Sequence, residues 1–140
     1  MIFSNYLNPQ AREVIQIIRK ANYNVVENIS WCTNGYAGGI IRENRTFFIC
    51  TYNILDGSSA RQSLHETIYH EAAHAAQMCR GLRPIGIPLN AMPLPWEKRV
   101  SIKKSLSLTR NRVSSIIEHE AYWLEDKPIE VVKYLRKFCF

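Results

Sequence analysis

Residues 70–74 read His-Glu-Ala-Ala-His, and this pentapeptide constrains the chain more than any other stretch. On a helix at 100° per residue, two histidines four positions apart stand about 40° from each other on one face. Imidazoles so placed can ligate one divalent cation such as Zn²⁺, and the glutamate between them can take a proton from water at that cation. Short motifs also arise by chance, so the surrounding residues decide what this one means.

The surroundings read as a helix. Ser63-Leu64-His65-Glu66 has the form of a capping box, which opens a helix, and Gly81 closes it, with Pro84 shortly after. The motif then lies mid-helix. Ala72, Ala73, Ala75 and Ala76 make that helix thin enough for a neighbour to pack close to the cation.

Elsewhere the pattern is that of an α+β chain. Asn8-Pro9 starts a helix, Asn as N-cap and Pro at the first helical position. Ala11, Val14, Ile15, Ile17, Ile18 and Ala21 carry helical spacing to about Asn22. A polar, β-leaning segment with Val25, Val26, Ile29 and Trp31 follows. Ile40–Arg42 and Thr46–Tyr52 then read as two strands joined across Glu43-Asn44-Arg45, and Asp56-Gly57-Ser58-Ser59 as a turn. Residues 81–96 hold four of the six prolines and read as a long loop, a kind usually tied to function. The pattern over Glu97–Leu108 is ambiguous. A helix is expected over Asn111–Asp126, with Val113, Ile116, Ile117, Ala121, Trp123 and Leu124 as its apolar side. Asp126-Lys127-Pro128 starts a last short helix carrying Ile129, Val132, Leu135 and Phe138.

At 140 residues the expectation is a single domain, residues 1–140, able to bury a core without staples. No apolar run approaches the roughly 20 residues of a membrane span, and no signal peptide is visible at Met1–Pro9, so a cytoplasmic location is expected. Cys32, Cys50, Cys79 and Cys139 form no C-x-x-C pair; they are expected as free, mostly buried thiols in a reducing compartment. The net charge is +6, and Lys98, Arg99, Lys103, Lys104, Arg110 and Arg112 cluster in one segment. Such a patch can meet nucleic acid or an acidic partner, but no interleaved aromatic series accompanies it. A solvated face is the simpler reading.

A catalytic zinc takes three protein ligands and leaves a position to water. The extended pattern H-E-x-x-H-x-x-G-x-x-H fails here, because Gln77 and Arg80 stand where Gly and His would be. The chain instead resembles the zincin metallopeptidases, and among them the gluzincin group, whose third ligand is a Glu on a later helix within a Glu-x-x-Ala-(Asp/Asn) pattern. Glu118-His119-Glu120-Ala121-Tyr122 matches it, which makes Glu118 the third ligand beside His70 and His74, Glu71 the catalytic base and Zn²⁺ the cofactor. The run His70–Gln77 is also similar to small bacterial and phage domains that carry Gln at that position. The resemblance covers about residues 40–126 and rests on about a dozen specific positions. Tyr122 departs from it, standing where the pattern usually has an Asp or Asn that orients a ligand histidine.

Glu120 competes with Glu118. On a helical wheel Glu120 lies among Ile116, Ile117, Trp123 and Leu124, where a carboxylate is costly unless paired or metal-bound. His65 lies about 140° round the helix from His70 and is expected to stay off the metal. His119, Tyr122, Tyr69 and Tyr52 are candidate oxyanion donors, each with a packing role as its plainer reading. Gln77 either orients a ligand or caps the cleft.

The resemblance implies a minimal zincin-like domain that hydrolyses a protein or peptide substrate. Because backbone pairing suits an unfolded segment, the substrate is expected to lie extended along an edge strand at Phe47–Tyr52, with the Pro-rich loop after Gly81 covering the cleft. Two other readings remain open: a non-catalytic zincin-fold binding or structural module in a larger assembly, and a basic nucleic-acid-associated protein.

Overall fold

The structure, a computed structural model, describes residues 1–108 and 114–140. The expected helix start at Asn111, the apolar Val113 and the basic Arg110 and Arg112 lie outside the described residues.

A short 3-10 turn, Ile2–Tyr6, precedes helix α1, Pro9–Lys20. The expected start is observed: the Asn8 side chain accepts from the Ala11 amide at 2.8 Å, an N-cap worth about 1 kcal/mol. Asn22 ends the helix in a left-handed conformation, and the amides of Asn22 and Tyr23 bond back to Arg19 and Ile18. Its apolar face, Ala11, Val14, Ile15, Ile17 and Ile18, is buried.

Three short strands follow: β1 (Asn24–Glu27), β2 (Gly38–Ile41) and β3 (Thr46–Ile49). β3 pairs parallel with β1 and antiparallel with β2, so the order is β1-β3-β2. The expected hairpin forms, with Gly38 opposite Ile49 and Ile41 opposite Thr46. Its second strand stops at Ile49, because Thr51–Ile54 turn into helix α2. β3 is therefore the buried central strand, not an edge, and a substrate cannot lie along Phe47–Tyr52. The strand next to the motif helix is β2. A Cβ on Gly38 would sit 2.9 Å from the Thr67 methyl and 2.8 Å from the Phe48 carbonyl oxygen, so glycine allows this close approach.

Helix α3, Ala60–Cys79, carries the motif. It begins a turn earlier than the capping box predicts. Ser63 lies inside it, with its carbonyl accepting from the Thr67 hydroxyl, and Glu66 pairs with Gln62. Gly81, at φ +73°, closes it, with the Gly81 and Leu82 amides bonded to Met78 and Gln77. α3 is covered on most sides: Leu64, Ile68, Tyr69, Ala72, Ala73, Ala75, Ala76 and Gln77 are all buried. Helices α4 (Trp96–Leu108), α5 (Ser114–Leu124) and α6 (Pro128–Cys139) complete the chain. Among the described residues the architecture is α+β, with six helices and a small three-stranded mixed sheet near the N-terminus. α1, α5 and α6 all pack on α3.

The cysteine expectation is overturned. Cys32 pairs with Cys50 and Cys79 with Cys139, and no cysteine is free. The Cα atoms stand 5.4 and 5.2 Å apart, within disulfide reach. Spacing alone cannot reveal such partners, because each pair joins distant elements. Disulfides persist in oxidising compartments, so the argument for a reducing one falls. No helix among the described residues is long and apolar enough to cross a membrane.

Candidate metal centre

His70 and His74 project from adjacent turns of α3, with ring centroids 5.0 Å apart. α5 packs across these turns, which the buried alanines permit, and brings Glu118 to both rings. One Glu118 oxygen is 2.7 Å from His74 Nε2 and the other 3.8 Å from His70 Nε2. One donor atom from each of His70, His74 and Glu118 lies within 4.8 Å of the others. Two imidazole nitrogens and one carboxylate oxygen match the donor set of open catalytic zinc sites.

The outer nitrogens are also accounted for. His74 Nδ1 meets Gln77 Oε1 at 2.7 Å. The Gln77 amide nitrogen donates to the Ile117 carbonyl at 3.0 Å and to Glu120 Oε1 at 2.9 Å. With both amide hydrogens committed, Gln77 must present its oxygen to His74. His74 therefore carries a proton on Nδ1 and turns Nε2 inward, toward the Glu118 carboxylate. His70 Nδ1 faces Glu125 Oε1 at 3.5 Å, and the Tyr122 ring stands edge-on to His70 with centroids 4.6 Å apart.

Electrostatics favour a positive charge here. Burial alone would lower the His74 pKa, but the Glu118 hydrogen bond, the charges of Glu71 and Glu118 and the Gln77 contact push it up to about 9. Burial raises the Glu118 pKa, yet its bond to His74 and the two histidines bring it below the ordinary carboxylate value. A cleft of about 590 Å³ opens over these groups. Tyr36, Ala37 and Gly38 line one side, Ser105 and Tyr122 the other. Its described lining includes four carboxylates, Glu66, Glu71, Glu118 and Glu125, and no Lys or Arg, although the chain carries a net +6. Glu71 is buried at the cleft wall.

Glu120 does something else. It is fully buried, as the helical wheel predicts, but its oxygens accept from Gln77 and from the amides of Ile85 and Gly86 at 2.7 and 2.8 Å. It anchors the Pro-rich segment to α3 and does not reach the histidine pair. That segment contributes nothing to the described cleft lining, so it is not the expected cover; α4 flanks the cleft instead.

His119 Nε2 bonds the Met92 carbonyl at 2.7 Å and also pins this segment. Tyr69 donates to Asn8 and Tyr52 is exposed; neither lines the cleft. Of the four expected oxyanion donors only Tyr122 does, and its hydroxyl is engaged by Ser105 and Ser101. His65 accepts from the Asn8 amide, away from the triad, as its position on the helix predicts. In the basic cluster, Lys98 bonds the Tyr122 carbonyl and reaches Asp126, and Arg99 stands over the Trp96 ring. Sequence reasoning gave no role to Glu125 or to Tyr36, both of which line the cleft. Glu125 was findable, since seven residues after Glu118 places it within about 20° of the same helix face.

A family model matches residues 3–140, and its description is a domain of unknown function (DUF8637). No curated protein and no solved structure matches the chain.

Proposed function

Since this chain belongs to the DUF8637 family, whose description assigns no activity, its chemistry has to come from the site, and we propose a zincin-like, zinc-dependent metallopeptidase. One observation carries this reading: both motif histidines turn Nε2 toward the Glu118 carboxylate while their Nδ1 atoms face acceptors behind them. Acceptors at Nδ1 favour the tautomer in which Nε2 is free to ligate a metal.

In this reading His70, His74 and Glu118 hold the cation. Zinc, when bound, brings a water pKa toward neutrality and polarises a carbonyl. Glu71 accepts the proton of the attacking water and returns it to the leaving nitrogen, so no covalent enzyme intermediate forms. The outer edge of β2 has no strand beside it among the described residues, and Tyr36–Gly38 line the cleft. An extended peptide fits as an added strand there, with backbone amides and carbonyls pairing to β2. The two disulfides suit work in an oxidising compartment.

The test is Glu71→Gln. Purified wild-type protein should bind about one zinc and cleave members of a quenched fluorescent peptide library. Glu71→Gln should keep the zinc and lose cleavage by two to four orders of magnitude. Cleavage persisting in Glu71→Gln removes the assigned base. Zinc retained by the wild type with no peptide cleaved favours the binding-module reading instead.

A further inference from the structure

The geometry points to Glu125 as the positioning residue that fixes His70 for the cation, in the place that Tyr122 leaves vacant. This rests on the metal-centre reading of the triad and asks which group holds each ligand.

The two histidines are supported unequally. His74 is tight at both nitrogens, 2.7 Å to Glu118 and 2.7 Å to Gln77. His70 is loose at both, 3.8 Å to Glu118 and 3.5 Å to Glu125. Tyr122 cannot supply the missing acceptor, because its ring packs edge-on against His70 and its hydroxyl is committed to α4.

Glu125 stands just past the end of α5, on the face shared with Glu118. Its Oε1 is buried and lacks a hydrogen-bond partner, alone in this among the side-chain atoms of the described residues. A buried carboxylate oxygen without a donor is costly, so its retention calls for an explanation. The donor it faces is His70 Nδ1, about 0.3 Å beyond an ordinary N–H···O distance. Catalytic contacts are often long before the site is loaded and tighten afterwards. By facing the Nδ1 hydrogen as its acceptor, Glu125 fixes the ring orientation and keeps the Nε2 lone pair available.

Two variants test this, each with three measurements. Glu125→Leu removes the acceptor, while Glu125→Gln keeps an oxygen and loses the charge. Zinc affinity is read by competition with a chromophoric chelator, apo stability by thermal unfolding, and the His70 tautomer by imidazole ¹⁵N shifts. Glu125→Leu should weaken zinc about 10–100-fold without lowering the apo melting temperature, and should move the His70 proton off Nδ1. Glu125→Gln should fall between it and the wild type. Zinc affinity in Glu125→Leu within about threefold of wild type overturns the inference alone. Zinc affinity and apo melting temperature falling together in both variants, with an unchanged tautomer, makes Glu125 merely structural and also overturns it. A wild type that binds no zinc overturns the metal centre itself.

Discussion

Glu118 and Glu120 stand two residues apart on one helix and face opposite tasks. The wheel correctly marks Glu120 as buried, but it cannot say what satisfies the charge. The answer lies in the amides of Ile85 and Gly86, supplied by an irregular segment whose path no periodicity encodes. Glu118 was legible only through the family pattern, since its helix face shows nothing unusual. Substitution should separate the two. Glu118→Ala should lower apo stability, because it removes the carboxylate that holds the part-buried His74 ring at 2.7 Å, but it strands no backbone amide. It should cost zinc affinity more than the 10–100-fold typical of outer-sphere losses. Glu120→Leu strands the buried Ile85 amide and one Gln77 hydrogen, leaves the Gly86 amide to water, and should cost about 2–6 kcal/mol at roughly 1–3 kcal/mol per buried stranded group. Urea unfolding and zinc titration of both variants give the comparison. A Glu120→Leu protein as stable as wild type would mean that the Ile85–Gly86 turn finds other partners.

Elements here are tied together by single side chains as well as by faces, and Glu27 shows this best. Placed at the end of β1, it accepts from the Ile2 and Phe3 amides and from the Thr51 hydroxyl at the start of α2. Burial raises its pKa, but these hydrogen bonds outweigh it and hold the carboxyl below its ordinary value. A depressed carboxyl pKa contributes stability that is complete above the unfolded value, about 4.3. That contribution disappears as pH falls through the folded value. Glu27→Gln should therefore lose less stability than wild type between pH 6 and pH 3.5, measured by urea unfolding at each pH. Equal losses in the two proteins would assign the acid sensitivity to other carboxylates. Element ends were readable where the signal is local: Asn8-Pro9 and Gly81 act through their own backbone geometry. Ser63-Leu64-His65-Glu66 misled because α3 starts earlier, at Ala60, and the same residues then sit inside it. The β1-β3-β2 order was not readable at all, since a parallel partner 22 positions back in sequence (Asn24 with Thr46) leaves no periodic trace.

Across the whole molecule, the disulfides hold the elements that build the site. Cys79 is the last residue of α3, so its bond to Cys139 fastens α6 to the helix that presents His70 and His74. Cys32–Cys50 spans the segment holding β2 and the Tyr36–Gly38 wall of the cleft. Cross-links act largely by restricting the unfolded chain, and more so for longer loops. The sequence separations are 60 and 18 residues. On the chain-entropy relation these correspond to about 4 kcal/mol for Cys79–Cys139 and about 3 kcal/mol for Cys32–Cys50. Paired serine variants should show that ranking in guanidinium unfolding, with zinc kept saturating so that site occupancy does not vary. The functional consequences should run the other way. The short loop carries the cleft wall, so Cys32→Ser/Cys50→Ser should impair peptide cleavage more per unit of lost stability than Cys79→Ser/Cys139→Ser. If cleavage instead tracks stability alone in both pairs, the Tyr36–Gly38 wall keeps its place without the bond, and the disulfide serves only to stabilise the fold.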